Sequence, residues 1–403
     1  MKKNPRNKRK KNNFKINKFS LIEVIIITLA FCSLTSVIVG LSVYLLNNRN
    51  LILDNELLDI VNTYNKIKDN FYEEVDKKEL ATSAIEGMMK TLNEKYSIYL
   101  DEDNSSDLNE KLEGEYQGIG VTVRKSNEIF SIEKVHDNTP AYDAGLKEGD
   151  ILLQINDYEI KGTDSLDYIK SLIKKVEKVT FKIKRNEEII SIDVKVKTIE
   201  YPSISYKTYE RNNKNIGYIY ISTFSKTTTS QVKDALKHLE DDNIESLIFD
   251  VRGNTGGYLN IADDILNMFM KKGTILYAVD DNNGTKKIYD TTKESRTYDI
   301  VVLIDQATAS ASEILATSLK ESYGAILVGA KTFGKGLVQQ VSSLSDNTLI
   351  KYTTAKWYTP DGNYINEIGY KPDIEVYLTK EYLYNPTDEN DLQLQKALEV
   401  LSK

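Results

Sequence analysis

The stretch DIVVLIDQATASASEILATSLKESYG (299–324), followed at once by AILVGA (325–330), decides the fold. Its apolar opening reads as a buried strand and its small residues as a turn. The remainder reads as a helix closed by Gly324, a residue suited to a left-handed cap. AILVGA then reads as the next strand, so the unit is strand–helix–strand. Upstream the alternation continues through strand NIGYIYIST (215–223), helix Thr229–Leu239, strand SLIFDVR (246–252) and helix Leu259–Met270. Downstream, GLVQQV (336–341) and TLIKYTTAKWY (348–358) read as strands. Apolar strands alternating with helices predict an α/β layer on a largely parallel sheet over 200–395.

Three segments of this region suggest chemistry: DVRGNTGG (250–257), the serine-bearing turn above, and GAKTFGKGLVQQ (329–340). Ser310 lies between two alanines at a strand-to-helix junction. Backbone N–H groups point outward there and the helix dipole favours negative charge, which suits a nucleophile or an oxyanion stabiliser. Alanine and serine are also ordinary at helix starts, so the segment alone does not decide. Lys335, between Gly334 and Gly336 in apolar surroundings, adds weight. Desolvation lowers a lysine's pKa, and a neutral amine can act as general base on a serine hydroxyl. Gln339, four residues on along the predicted strand, projects from the same face and either orients that amine or is a structural amide. The rival reading of Gly329–Lys335 as a phosphate-binding loop fails, because Gly336 replaces the Ser or Thr that holds the metal and a strand follows instead of a helix.

Composition narrows the field further. The 403 residues contain one cysteine, Cys32, and two histidines, His136 and His238. A disulfide framework, a Cys-rich zinc site and a multi-histidine metal centre are therefore excluded. A Ser-His hydrolase would need one of two histidines that fall in a β-rich unit and on a predicted surface helix. The net charge of -7 conceals a basic segment, 1–18, with nine Lys or Arg and no acid. No charged residue follows from Val24 to Asn48, and Val24–Leu46 is almost wholly apolar. That length spans a hydrocarbon core, so 19–46 is expected to be an uncleaved transmembrane anchor and not a nucleic-acid-binding arm. The positive-inside rule places 1–18 in the cytoplasm and the remainder outside the cell membrane, as a single-pass protein.

The exported part opens with a helical region, 50–100, in which Leu57, Val61, Tyr64, Ile67 and Phe71 recur at helical spacing and Asp76 with Glu79 resembles a capping box. A homodimer through these helices is one arrangement they allow. DEDNSSD (101–107) reads as a polar break before a compact unit over 104–198. Within it, PAYDAGLKEGDILLQIND (140–157) resembles the PDZ signature. GIGV, residues Gly118, Ile119, Gly120 and Val121, matches the PDZ loop whose amides bind a peptide's terminal carboxylate while the peptide adds to a sheet edge.

Taken together, NEKYSIYL (93–100), the PDZ unit, DVRGNTGG, ATASASEI (307–314), TFGKGLVQ (332–339) and TTAKWYTPDGNYINEIGYKPD (353–373) resemble the carboxyl-terminal processing peptidases, tail-specific serine proteases with a Ser-Lys centre. The resemblance runs from about Tyr64 to Ile374. It implies a multidomain α/β (α+β) protein with a transmembrane helix, a helical lead-in, a PDZ-like domain and a serine-protease core. It makes Ser310 the nucleophile, Lys335 the general base and Gln339 its orienting residue, and it assigns the oxyanion hole to the amides of Gly256 and Ala311. Neither metal nor organic cofactor is implied. The expected substrates are polypeptides with free C-termini. A catalytically inactive PDZ scaffold is the alternative, disfavoured by the intact Ser310, Lys335 and Gln339. Two departures stand out: Ala307–Thr308 replaces the usual Gly-Ser, and KKVEKVT (174–180) replaces a glycine-containing turn that joins the PDZ unit to the core in relatives.

Overall fold

The computed structural model describes residues 20–47, 54–174, 176–293, 295–344 and 347–403. The basic segment 1–18 lies outside the described residues. The chain divides into two units, Met1–Met88 and Met89–Lys403.

In the first unit, α1 (Leu21–Asn47) contains the stretch Val24–Tyr44, long and apolar enough to cross a membrane and nowhere buried. Helix α2 (Asn55–Asn70) is capped by Asp54, whose carboxylate accepts from the amides of Glu56 at 3.1 Å and Leu57 at 3.3 Å. Of its apolar stripe, Val61, Ile67 and Phe71 remain 47, 37 and 53% exposed, while Leu57 and Tyr64 are half-buried. Helix α3 (Lys77–Thr91) begins at Asp76, which accepts from the amides of Lys78 and Glu79. The bond from Glu79, then that from Lys78, holds the Asp76 carboxyl below its ordinary pKa.

The second unit takes up the chain at Met89, in the last turn of α3, and continues with β1 (Ile98–Leu100) and α4 (Glu102–Glu113). The expected polar break at 101–107 is thus part of a helix. Asp101 caps it, accepting from Asn104 N at 2.9 Å, Glu102 and Asp103 face the positive end of the dipole, and Gly114 closes it at φ 76°.

The PDZ region comprises β2 (Glu115–Gly118), β3 (Val121–Ser126), β4 (Ile129–Val135), the short α5 (Pro140–Asp143), β5 (Ile151–Ile155), β6 (Tyr158–Glu159), α6 (Leu166–Lys174), β7 (Lys178–Arg185), β8 (Glu188–Lys195) and β9 (Lys197–Glu200). Its antiparallel sheet runs β3-β4-β5-β7-β8, with β6 on β5, while β2 pairs with β9 as a separate ribbon. Phe130, Ile132, Phe181 and Ile183 form its core with Ile169 of α6. β3 is an edge strand of that sheet.

The remaining elements are β10 (Ile204–Arg211), β11 (Lys214–Ile221), α7 (Thr228–Asp241), β12 (Ser246–Asp250), α8 (Leu259–Leu266), β13 (Ile275–Asp281), β14 (Gly284–Tyr289), β15 (Asp299–Ile304), α9 (Ala311–Ser318), β16 (Ile326–Gly329), β17 (Leu337–Ser343), β18 (Leu349–Tyr358), β19 (Ile374–Glu375), α10 (Lys380–Tyr384) and α11 (Leu392–Leu401). The central sheet runs β10-β11-β12-β15-β16-β19, antiparallel only between β10 and β11. Helices α7, α8 and α9 cover one face through Leu236, Ile265 and Ile314, and α11 covers the other through Leu394 and Leu398. A second sheet runs β1-β18-β13-β14, with β17 on β18. The helix expected up to Tyr323 is α-helical to Ser318 and then widens into a π turn, Leu319–Tyr323.

Candidate active site

Three loops meet where the parallel strands end. The first follows β12 and carries Gly256, the second follows β15 and carries Ser310, and the third connects β16 to β17 and carries Lys335. The carboxyl ends of parallel strands are where α/β sheets place their sites.

Ser310 stands at φ 58° and ψ -120°, a left-handed backbone that costs a non-glycine residue roughly 1–3 kcal/mol and persists only where its surroundings enforce it. The enforcement is visible. Asn254, fully buried, receives Ala309 N and Ser312 Oγ on its carbonyl, both at 3.0 Å, and donates its Nδ2 to Ile221 O at 2.8 Å. Thr308 Oγ1 donates to Val251 O at 3.0 Å. The glycine and serine loops are thus clamped together. A Cβ on Gly256 would lie 2.9 Å from Ser310 Cβ and 3.2 Å from Ala311 N, so only glycine, here at φ 102°, allows the approach. Ala311 N sits at the first helical position, where amides have no intrahelical acceptor. Gly256 N donates to Asn254 Oδ1 at 2.8 Å.

Glu313 ties the serine to the lysine. It is 0% exposed. One carboxylate oxygen accepts from Ser310 N at 2.9 Å and Lys335 N at 2.8 Å; the other accepts from Thr332 Oγ1 at 2.6 Å and Gly334 N at 2.7 Å. Burial raises its pKa against these four bonds, which lower it. The lysine loop is further fixed by Phe333 N donating to Thr308 O at 3.0 Å and Trp357 Nε1 donating to Lys335 O at 2.8 Å.

The Lys335 side chain is half-buried, and its pKa is lowered to about 8, first by desolvation and then by Lys351; Glu94 and Glu313 oppose the shift. Among the described residues no hydrogen bond joins its ammonium to Ser310, and it rests 5.0 Å from the centroid of the Tyr96 ring. Gln339 lies in β17 opposite Thr353, with its Nε2 buried and unpartnered. Gln339 does not follow Lys335 along one strand: Lys335 precedes β17, and the pairing of β17 with β18 slips between Val338 and Gln339, skipping Thr354 of β18.

The Gly118–Val121 loop lies in the PDZ sheet and its ribbon, not in these three loops. Gly120 has φ 84°, and a Cβ there would come within 2.3 Å of Thr139. The amides of Ile119 and Gly120 have no backbone acceptor among the described residues, whereas their carbonyls accept from Ala141 N and His136 N. His238 is exposed on α7 and bonds Asp234 O through Nδ1; His136 bonds Thr122. Sequence reasoning missed Asn254, Glu313 and Tyr96. The spacing Ser310-x-x-Glu313 is a capping-box signature and could have revealed the second of these.

The fold and this site define a serine protease with an attached PDZ domain. The profile of peptidase family S41 matches residues 215–376, that of the activating protease CtpB N-terminal domain matches 45–104, and a PDZ profile matches 117–196. A CtpA-like serine protease of Staphylococcus epidermidis is 32% identical over 387 residues, covering 94% of this chain and 78% of that protein. The carboxy-terminal processing protease CtpB of Bacillus subtilis is 36% identical over 351 residues, covering 86% and 72%. A crystal structure from Bacteroides fragilis described as an S41 protease superposes with a TM-score of 0.50 at 17% identity, over 79% of this chain and 90% of the other, a likeness of fold. The chain belongs to peptidase family S41 and is a serine-type carboxyl-terminal processing protease.

Proposed function

We propose that the protein is a single-pass, membrane-anchored endopeptidase whose catalytic part lies outside the cytoplasm and cleaves polypeptides near their C-termini through Ser310 and Lys335. The observation that carries this reading is the buried Glu313 carboxylate, which accepts from the backbone amides of both residues and so fixes the serine and lysine loops as one rigid piece. Neutral Lys335 takes the Ser310 hydroxyl proton as the oxygen attacks the substrate carbonyl. The oxyanion forms against Ala311 N and Gly256 N, competing for the latter with Asn254 Oδ1. The tetrahedral intermediate collapses as the Lys335 ammonium returns the proton to the departing amine. Water then cleaves the acyl-enzyme by the same steps in reverse. Gln339, whose Nε2 has a hydrogen to give, orients the centre when substrate is present.

Substrate capture follows from the PDZ edge. A peptide laid along β3 would present its carboxylate to the amides of the Gly118–Val121 loop, two of which have no other backbone acceptor. The anchor is α1, with the basic segment 1–18 held on the cytoplasmic side.

The test uses the full chain in detergent micelles, as wild type, Ser310→Ala and Lys335→Ala, incubated with an unfolded protein and with peptides bearing free or amidated C-termini. Products are read by mass spectrometry. Cleavage by wild type alone, faster on free carboxylates, supports the reading; cleavage by Ser310→Ala refutes it. In vesicles of known orientation, a C-terminal tag digested by external protease only in right-side-out preparations supports the topology.

A further inference from the structure

Residues 94–97 (Glu-Lys-Tyr-Ser) form a strap across the lysine loop. Glu94 accepts from Tyr96 N, Ser97 Oγ and Thr353 Oγ1, each at 2.8 Å, and Ser97 Oγ accepts from Thr353 N at 3.1 Å. Immediately afterwards β1 pairs with β18. The strap is therefore riveted to the strand that faces Gln339, by bonds that leave the Tyr96 side chain free to pack elsewhere. It packs at Lys335, 5.0 Å from ammonium to ring centroid. Among the described residues no hydrogen bond to an acceptor is made by that Nζ.

We propose that Tyr96 is a positioning residue for the general base: its aromatic face seats the ammonium form of Lys335, the form created when Ser310 gives up its proton. The inference rests on the Ser310–Lys335 reading. An aromatic face attracts a cation and not a neutral amine. The ring thus stabilises the protonated base at the step where charge develops and fixes where it waits before protonating the leaving group.

Other charged groups face the same point. Lys351 from β18 disfavours the ammonium, whereas Glu94 from the strap and Glu313 from α9 favour it. Lys95 shares the Tyr96 ring at 4.9 Å and lies exposed at the rim, beside Phe333. Removing the ring while keeping an apolar filling subtracts one contribution that favours the ammonium and leaves desolvation in place. The base then becomes neutral at lower pH.

The experiment measures kcat/KM against pH for the full chain in micelles on a free-carboxylate peptide, for wild type, Tyr96→Phe, Tyr96→Leu and Lys335→Ala. Tyr96→Phe keeps the ring and should keep the acid limb of the profile within a few tenths of a pH unit. Tyr96→Leu should move that limb down by about one pH unit, with kcat reduced about tenfold. A merely structural tyrosine would lower activity at every pH without moving the limb, and that result, or an upward movement, overturns the proposal. Activity in Lys335→Ala would overturn the reading of the base itself, an outcome distinct from an unmoved limb in Tyr96→Leu. If Tyr96→Leu loses its folded baseline, Tyr96→Met is scored on the same shift.

Discussion

Replacing Glu313 separates hydrogen-bond geometry from charge. In Glu313→Gln the amide keeps one oxygen. If the Gln carbonyl takes the place of the oxygen that serves Ser310 N and Lys335 N, the NH2 group meets Thr332 and Gly334 N. The Thr332 hydroxyl can rotate to accept, so one buried amide, that of Gly334, is orphaned. The opposite orientation orphans two. The side chain will choose the first, at a cost of about 1–3 kcal/mol, or several degrees in melting temperature. Because Ser310 and Lys335 remain bridged, kcat should fall only about tenfold. Glu313→Ala removes every acceptor, orphans three amides and frees the loops, so stability should drop by upward of about 3 kcal/mol and kcat by more than about a hundredfold. Charge is read separately. Glu313 raises the Lys335 pKa, so neutral Gln should lower the pH at which activity appears. Thermal unfolding and kcat across pH provide the assay. A Glu313→Ala protein with unchanged melting temperature and kcat within twofold of wild type would refute the bridging argument.

Three further outcomes follow from the same geometry. Lys335 has its folded pKa at about 8 against an ordinary 10.5, so below pH 8 the fold bears the full cost of burying an ammonium. That cost is relieved as pH rises from 8 towards 10.5, where the unfolded chain binds more protons. Lys335→Met should therefore stabilise the inactive protein by roughly 3 kcal/mol at pH 7, with the gain vanishing near pH 10.5, as read by denaturant unfolding at both pH values. Gly256→Ala places a methyl 2.9 Å from Ser310 Cβ and 3.0 Å from Ala309 O on a backbone at φ 102°; kcat should fall at least about a hundredfold while the far-ultraviolet circular dichroism spectrum holds. Arg252 donates to Asp250, Asp391 and Gln393 and joins α11 to the glycine loop. Arg252→Met leaves two buried carboxylates unpaired and should cost about 3–5 kcal/mol in chemical unfolding.

The parallel sheet was legible because its strands are apolar on both faces: Leu247, Ile248, Phe249, Val301, Val302 and Leu303 are all fully buried, and a continuous apolar run is the only pattern such a strand can write. The segment 101–113 was illegible for the opposite reason. Only Ser105 of α4 is buried, so no apolar period marks a helix made by its caps and its acidic first turn. The serine, glycine and lysine loops announced themselves through residue types that few environments tolerate. Gln339 was legible as a residue but not as an orientation, because Lys335 stands before β17 and so outside the alternation on which the reading relied. Tyr96 carried no local signal of its contact. The strap reaches Lys335 only because β1 joins β18, a pairing between segments far apart in the chain.

The balance at Lys335 explains why so many groups converge on it. A free lysine near 10.5 would be neutral in about one molecule in a thousand at pH 7.5 and almost useless as a base. Burial and Lys351 push the value down; Glu94 and Glu313 pull it back, and it settles at about 8. At pH 7.5 roughly a quarter of the lysine is then neutral, while the amine remains basic enough for the proton transfer from serine proposed above. Burial without the opposing carboxylates would raise the neutral fraction but weaken the base. Carboxylates without burial would leave it charged. A site needing both must hold a cation in apolar surroundings between acids kept a fixed distance away, and Glu94 and Glu313 are each locked by three or more hydrogen bonds. Those locks are therefore part of how the lysine is tuned.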